Sequence, residues 1–281
     1  MIPSLIDELL DRAFEEDLSG GDVTTEACVL PDAKAKATAV ARKPLVVCGG
    51  EVFLRAFQRI DPAVATRVLV ADGVAVEKGA AIWEVEGSAR SLLMAERTAL
   101  NFAQRMSGIA TAARTYAGAI APGSRTRITD TRKTTPGLRL LERYAVRTGG
   151  AHNHRDNLGS AVMIKDNHII AAGGIAAAVE RARARAPHTS RIEVEVATFP
   201  ELDQALAAGA DIIMLDNFSV EDVREAVAVV SGRAVRPILE ASGGITLERI
   251  RALSEAGVDV ISVGALTHSA PAADIALDLS L

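Results

Sequence analysis

From about residue 110 the chain repeats one pattern, a short apolar run, a polar turn and a helical stretch, and this repetition constrains the fold more than any other feature. Candidate strands are 127–130, 161–165, 192–196, 212–216, 237–241 and 258–263. Helical stretches lie between them at 135–148, 174–185, 199–208, 220–230 and 247–256. Ala208-Gly209-Ala210-Asp211 and Ala256-Gly257-Val258-Asp259 recur where a helix gives way to a strand, the position at which glycine closes a helix. Apolar, β-branched strands alternating with helices predict a parallel sheet, and this many units favour an α/β barrel. A doubly wound open sheet is the less favoured reading, since no G-x-G-x-x-G follows a first strand.

The first hundred residues read differently. Residues 2–16 carry apolar side chains at 2, 5, 6, 9, 10 and 13, the spacing of an amphipathic helix. Ser19-Gly20-Gly21 breaks it. Short strand-like runs follow at 37–41, 68–70 and 81–85, and residues 88–106 read as a long helix with Ser88 and Ser91 as candidate caps. The expected organisation is a mixed α/β unit over 1–110 and an α/β barrel over 111–281.

Composition narrows the function classes. At 49% hydrophobic, the 281 residues have ample material for a core. No apolar run approaches the roughly 18 residues that span a bilayer, and the first dozen residues lack a basic signal-peptide start. No membrane association is expected. Two cysteines, Cys28 and Cys48, make no disulfide framework and favour a reducing compartment such as the cytoplasm. A formal net charge of −5 argues against nucleic acid as a partner. Only six of the 31 basic residues are lysines, and two of these, Lys133 and Lys165, fall in the densest polar segments.

In an α/β barrel the reactive groups come from the C-terminal ends of the strands. Here those ends deliver Thr131, Arg132 and Lys133, then His154 and Arg155, then Lys165, a cationic set suited to carboxylates or phosphates. Later strand ends carry Glu193, Glu195, Asp216 and Glu240. Of these, Glu195 and Asp216 are hard oxygen donors suited to Mg²⁺ shared with substrate phosphates. Ser242-Gly243-Gly244 and Val263-Gly264-Ala265 offer backbone amides where barrels bind phosphate. Histidine-based zinc is disfavoured, because His152, His154 and His168 have neither a cysteine partner nor an H-E-x-x-H motif. Lys165 read alone would also suit a Schiff-base lyase, but the surrounding Arg and His favour anion binding.

The run Thr131-Arg132-Lys133-Thr134-Thr135-Pro136-Gly137-Leu138-Arg139, with Asn153-His154-Arg155 and Ile164-Lys165-Asp166-Asn167-His168, resembles the quinolinate phosphoribosyltransferase family. Ala95-Glu96-Arg97-Thr98, Glu193-Val194-Glu195-Val196, Leu215-Asp216-Asn217 and Glu240-Ala241-Ser242-Gly243-Gly244 extend the likeness over nearly the whole chain. The resemblance implies that quinolinate and phosphoribosyl pyrophosphate become nicotinate mononucleotide, CO₂ and pyrophosphate, with Mg²⁺ and no redox cofactor, in NAD biosynthesis. It implies that Arg132, Arg155 and Lys165, helped by His154, bind the quinolinate carboxylates, and that Lys133 contacts phosphoribosyl pyrophosphate. Glu195 and Asp216 would hold ribose hydroxyls and metal. Residues 242–244 and 263–265 would hold the 5′-phosphate, with His268 near by. Arg97 would enter the partner subunit's site in a homodimer, or in a hexamer of dimers. The fold it implies is an N-terminal α/β sandwich over 1–110 joined to an incomplete α/β barrel over 111–281, with the extreme C-terminus packing back on the first domain.

Two positions depart from the family pattern: Ala151 stands where a third glycine is usual, and Ser160 where an aspartate is usual. Loss of that charge is expected to loosen Arg155 and Lys165 without abolishing activity. The nearest alternative is the related pyrophosphorylase-like protein of molybdenum-transport operons, against which the intact Asn153-His154-Arg155 and Lys165-Asp166-Asn167-His168 weigh.

Overall fold

The computed structural model describes residues 2–280. In chain order its elements begin with α1 (Pro3–Leu18), α2 (Val23–Cys28), β1 (Lys34–Ala41), β2 (Leu45–Val46) and α3 (Gly50–Ile60). Next come β3 (Ala65–Val68), β4 (Ala75–Val76), β5 (Ala81–Ser88), α4 (Ala89–Gly118), β6 (Arg127–Thr129) and α5 (Arg139–Thr148). Then β7 (Val162–Ile164), α6 (Asp166–Ala172), α7 (Ile175–Arg185), β8 (Ile192–Val196), α8 (Phe199–Ala207) and β9 (Ile212–Asp216) follow. The chain ends with α9 (Val220–Ser231), β10 (Ile238–Ser242), α10 (Leu247–Ala256), β11 (Val260–Ser262), α11 (Ala265–His268) and β12 (Ile275–Ser280).

These elements form two compact units that interleave along the chain rather than meeting at one cut near residue 110. One unit holds the chain up to Arg114, Thr134–Gly150 and everything from Leu266 on; the other holds Thr115–Lys133 and Ala151–Ala265. The interleaving has a local cause. β12 pairs antiparallel with β1 from Ile275↔Ala41 to Ser280↔Lys36, and Thr135 and buried Glu142 are tied to Arg105 of α4.

In the first unit a sheet of order β12-β1-β5-β3 is covered on one side. Every second residue of β1 (Ala35, Ala37, Ala39, Ala41) is buried, as period-two alternation requires. Phe53 of α3 stacks on Trp83 of β5 at 4.7 Å and meets Phe57 edge-on at 5.1 Å. The abundant alanines permit close helix approach: Ala95, Ala99, Ala103, Ala110 and Ala113 form part of the buried face of α4. α4 continues to Gly118, twelve residues past the expected end at 106, because Gly108 is a packing contact and not a terminator. A Cβ there would lie 2.0 Å from the Pro271 carbonyl oxygen. Conversely, α5 starts four residues later than its periodicity predicts, since Pro136 and Gly137 (φ 82°) make a turn first.

The second unit is a six-stranded parallel sheet of order β6-β11-β10-β9-β8-β7. From β7 to β11 each strand lies beside its successor, and β6 lies beside the last strand instead of beside β7. That is the winding of a barrel with one unpaired seam. A doubly wound sheet would reverse direction part-way. The helices begin at side-chain caps where the sequence supplies them, Thr198 with Glu201 at α8 and Ser219 with Asp222 at α9. No described helix is long and apolar enough to cross a membrane.

The glycine contact in α4 gives a test. Gly108→Ala is expected to lower stability by about 1–3 kcal/mol through overpacking, whereas Gly118→Ala, with open space around it, should be neutral or mildly stabilising. Thermal melts of both variants check this; equal melting temperatures would remove the packing role of Gly108.

Candidate active site

The C-terminal ends of the parallel strands open on a cleft of about 370 Å³. Thr131, Arg132, Lys133, His154, Arg155, Lys165, Glu195, Asp216, Ser242 and Gly243 line it, joined by Met163, Met214, Glu240 and Ser262. Strand periodicity puts these residues there. Met163 and Lys165, Glu193 and Glu195, Met214 and Asp216, Glu240 and Ser242 are pairs two apart, so each pair faces one side of its strand. The strand-end reading points to the outer member of each pair and to the inner Glu193 and Glu240; the inner Met163 and Met214 are the additions, carried by the same spacing.

The cationic loop 151–155 is irregular but firmly held. His152 bridges to Thr129 of β6, its amide donating to the Ile128 carbonyl at 2.8 Å. Buried Asp130 accepts the Asn153 side-chain amide at 2.6 Å and the His154 backbone amide at 2.7 Å. Arg155 donates to the Ala161 carbonyl at 3.2 Å. Burial, and after it the charge of Arg132, works against the charge on Arg155, while Glu193 supports it. Two guanidinium groups therefore sit close enough to oppose one another, an arrangement that an anionic ligand relieves.

Lys165 pairs with Glu195, so this cation and this acid arrive in the cleft already neutralised. The Lys165 backbone amide donates to His168 Nδ1 at 2.9 Å; part of the Ile164-to-His168 motif is thus a helix cap. Asn217, the one described non-glycine residue with positive φ (58°), donates from its side chain to Asp216 at 2.9 Å and from its backbone to the Ser242 carbonyl at 2.9 Å. Gly243 (φ 85°) allows this, since a Cβ there would fall 2.3 Å from Asn217 Oδ1.

Beneath the loop, His154 Nε2 lies 3.3 Å from Glu193 and 3.4 Å from Glu240, both almost fully buried. Burial opposes charge on the imidazole, but hydrogen bonds to Glu193 and Glu240 and their charges outweigh it and raise its pKa to about 10. Burial first, then the Glu240 charge, pushes Glu193 up, with His154 countering. With its pKa raised, the ring carries a proton on Nε2 that faces the carboxylates, so a proton occupies the place a metal ion between these three groups would need. Glu195 and Asp216 fit a hard cation better: both are half-exposed carboxylates at the cleft.

Other expected site residues fall outside this cleft's lining. Gly244, Val263, Gly264 and Ala265 follow the strands that bear Ser242 and Ser262, and the Val263 amide is already used, donating to the Thr129 carbonyl at 2.9 Å. Arg97 and His268 belong to the other compact unit. There Arg97 lines a second cleft with Glu16, Asp17, Asn101 and Arg105, and His268 is exposed beside Ser269. The departures from the family pattern are accommodated. Ala151 is not at positive φ, and the Ser160 hydroxyl accepts the amides of Asp156 and Asn157, closing the turn that follows Arg155.

Residues 22–107 match the N-terminal domain, and residues 109–278 the C-terminal domain, of quinolinate phosphoribosyl transferase. The chain belongs to the quinolinate phosphoribosyl transferase family. It is 43% identical to the nicotinate-nucleotide pyrophosphorylase (carboxylating) of Mycobacterium leprae, covering 97% of this chain and 96% of that one. The human protein of the same name is 39% identical over 99% of this chain and 92% of its own. Among solved structures, the nicotinate-nucleotide pyrophosphorylase of Francisella tularensis superposes with a TM-score of 0.93 at 40% identity, covering 100% and 98% of the two chains.

For this transferase-family cleft, Gly243→Ala is expected to destabilise by about 1–3 kcal/mol through backbone strain and overlap with Asn217, and to displace the Asp216 carboxylate. Melting curves and a crystal structure of the variant check it; a wild-type melt with Asp216 in place would contradict it.

Proposed function

We propose that this chain is a carboxylating nicotinate-nucleotide pyrophosphorylase, converting quinolinate and phosphoribosyl pyrophosphate to nicotinate mononucleotide, CO₂ and pyrophosphate for NAD biosynthesis. The observation that carries this reading is the convergence of Arg132 and Arg155 with Lys133 and Lys165 in one cleft, in a chain of this family. Two guanidinium forks and an ammonium suit the two adjacent carboxylates of quinolinate.

In this reading Arg132, Arg155 and Lys165 orient the pyridine ring so that its nitrogen meets C1 of the ribose. The nitrogen–carbon bond forms as the carbon–oxygen bond to pyrophosphate breaks, through a state with positive charge on the sugar. Positioning and charge stabilisation carry such a step, without a protein nucleophile. Lys133 meets the departing pyrophosphate, and Glu195 and Asp216 hold the ribose hydroxyls. Glu195 and Asp216 would also hold Mg²⁺, which when bound neutralises charge on the leaving pyrophosphate. The 5′-phosphate meets amides of the 242–244 loop and of Gly264 and Ala265. Loss of CO₂ leaves its bonding electrons on the ring carbon beside the now cationic nitrogen, and a proton replaces it.

A lyase using Lys165 as a nucleophile is less well supported, because an ammonium held by Glu195 has no lone pair to attack with. Arg97, exposed on α4, serves the partner subunit's cleft in a homodimer. The free cysteines Cys28 and Cys48 fit work in the cytoplasm.

Incubated with quinolinate, phosphoribosyl pyrophosphate and Mg²⁺, the purified protein should release CO₂ and pyrophosphate in equal amounts, and borohydride should trap no adduct. Arg155→Ala should raise the quinolinate KM by roughly 10- to 100-fold, the worth of a charged hydrogen bond. No nicotinate mononucleotide from the wild type would refute the assignment. Arg97→Ala should leave the melting curve unchanged and abolish most turnover; a fully active monomer would exclude the shared site.

A further inference from the structure

Resting on the functional reading above, we propose that the Arg105–Glu142 ion pair positions the site for phosphoribosyl pyrophosphate. It holds the loop that carries Lys133 and the loop that carries Gly264 and Ala265 at one fixed spacing.

The two loops start together. β6 and β11 are neighbours, with Ser262 in register beside Thr129, and the Val263 amide donates to the Thr129 carbonyl at 2.9 Å. From these strand ends the chain runs through Lys133 to Thr135, and through Gly264 and Ala265 to Thr267. The loops also finish together, on one ion pair. Glu142 of α5 is fully buried. Its carboxylate accepts the Thr135 amide at 3.1 Å and the Thr135 hydroxyl at 2.7 Å. Arg105 of α4 donates to the same carboxylate, from Nε at 3.0 Å and from Nη2 at 2.8 Å. Its Nη2 also donates to the Thr267 carbonyl, and its Nη1 to the Ala270 carbonyl at 3.0 Å. These five residues belong to the first compact unit, which the chain enters directly after Lys133 and again after Ala265.

Each of the three guanidinium nitrogens of Arg105 thus donates to a protein acceptor, so the side chain is spent within the protein. A planar fork suits this task. It reaches a carboxylate on one side and two carbonyls at the end of α11 on the other, where a helix leaves its last acceptors unfilled. Further contacts lay the segment after α11 along α4. Gly108 leaves room for the Pro271 carbonyl, and Gln104 accepts the Ala273 amide at its carbonyl and donates to the Ile275 carbonyl from its side chain. Because α4 is one unbroken helix from Ala89 to Gly118, both loop ends rest on a stiff base.

The consequence falls on a ligand with two charged ends. Lys133 meets the pyrophosphate, and the amides of Gly264 and Ala265 meet the 5′-phosphate. A ligand that touches one loop is indifferent to the spacing between the two. A ligand that touches both gains from a spacing set beforehand, since less ordering is left to the moment of binding.

The test compares one-ended with two-ended ligands by titration calorimetry. Inorganic pyrophosphate, ribose 5-phosphate and phosphoribosyl pyrophosphate are each titrated with Mg²⁺ into the wild type and Arg105→Met. The loss of affinity for phosphoribosyl pyrophosphate should exceed, by about tenfold or more, the losses for the two fragments multiplied together, because the linkage between them is what the variant removes. Losses that multiply out to the same factor would show that each loop is held separately, and would overturn the proposal, as would no loss at all. Thr135→Val takes only the hydroxyl from Glu142 and should show the same excess in smaller measure, while Thr135→Ser keeps the hydroxyl and should bind as the wild type does. A Thr135→Ser protein as impaired as Thr135→Val would also overturn it. The Thr135 pair decides the matter should Arg105→Met fail to fold. A wild type that binds no phosphoribosyl pyrophosphate would refute the assigned function along with the inference, whereas wild-type binding with merely multiplicative losses refutes the fixed spacing alone.

Discussion

Two carboxylates buried in a parallel sheet must find partners, and the architecture of this site follows from how they do. Glu193 is 2% and Glu240 3% exposed; leaving such charges unmatched costs several kcal/mol each. One imidazole answers both. Because that imidazole belongs to the loop between α5 and β7, matching the charges also fixes the loop. The Asp130 contacts to Asn153 and His154 secure its other end. A segment without regular structure thereby holds its cationic side chains as firmly as a strand would, and a site on a loop gains the precision of a site on a sheet.

Net charge is a poor guide to such a site. The protein carries −5 overall, yet its substrates are anions. What matters is local arrangement: Lys165 meets Glu195 before any ligand arrives, whereas Arg132 and Arg155 line the same cleft, and burial and then the Arg132 charge work against the charge on Arg155. The first pair is preorganised, and the second gains most from an incoming dicarboxylate. The cleft offers guanidinium forks and ammonium groups, which act by positioning and by stabilising charge.

Much of this was legible in the sequence. The β/α repetition, the parallel sheet and ten of the cleft residues followed from strand-end reading, because each strand ends where its apolar run does. Glu193 and Glu240 were visible as polar strand residues, but their partner lies some forty and ninety positions away, and no local pattern joins them to His154. The Val263 amide could not be known to serve β6, since parallel pairing joins residues far apart in sequence. α4 runs past the expected end at 106, and there Gly108 packs against Pro271, a neighbour far along the chain that no local pattern shows. The C-terminus was expected to return to the first domain, but not as a strand: β12 pairs with β1, more than two hundred residues earlier.

The most direct measurement is a crystal structure of the protein with quinolinate bound. It should show the two carboxylates on Arg132, Arg155 and Lys165 within the 370 Å³ cleft. Quinolinate bound elsewhere, or its carboxylates clear of these three side chains, would contradict this account.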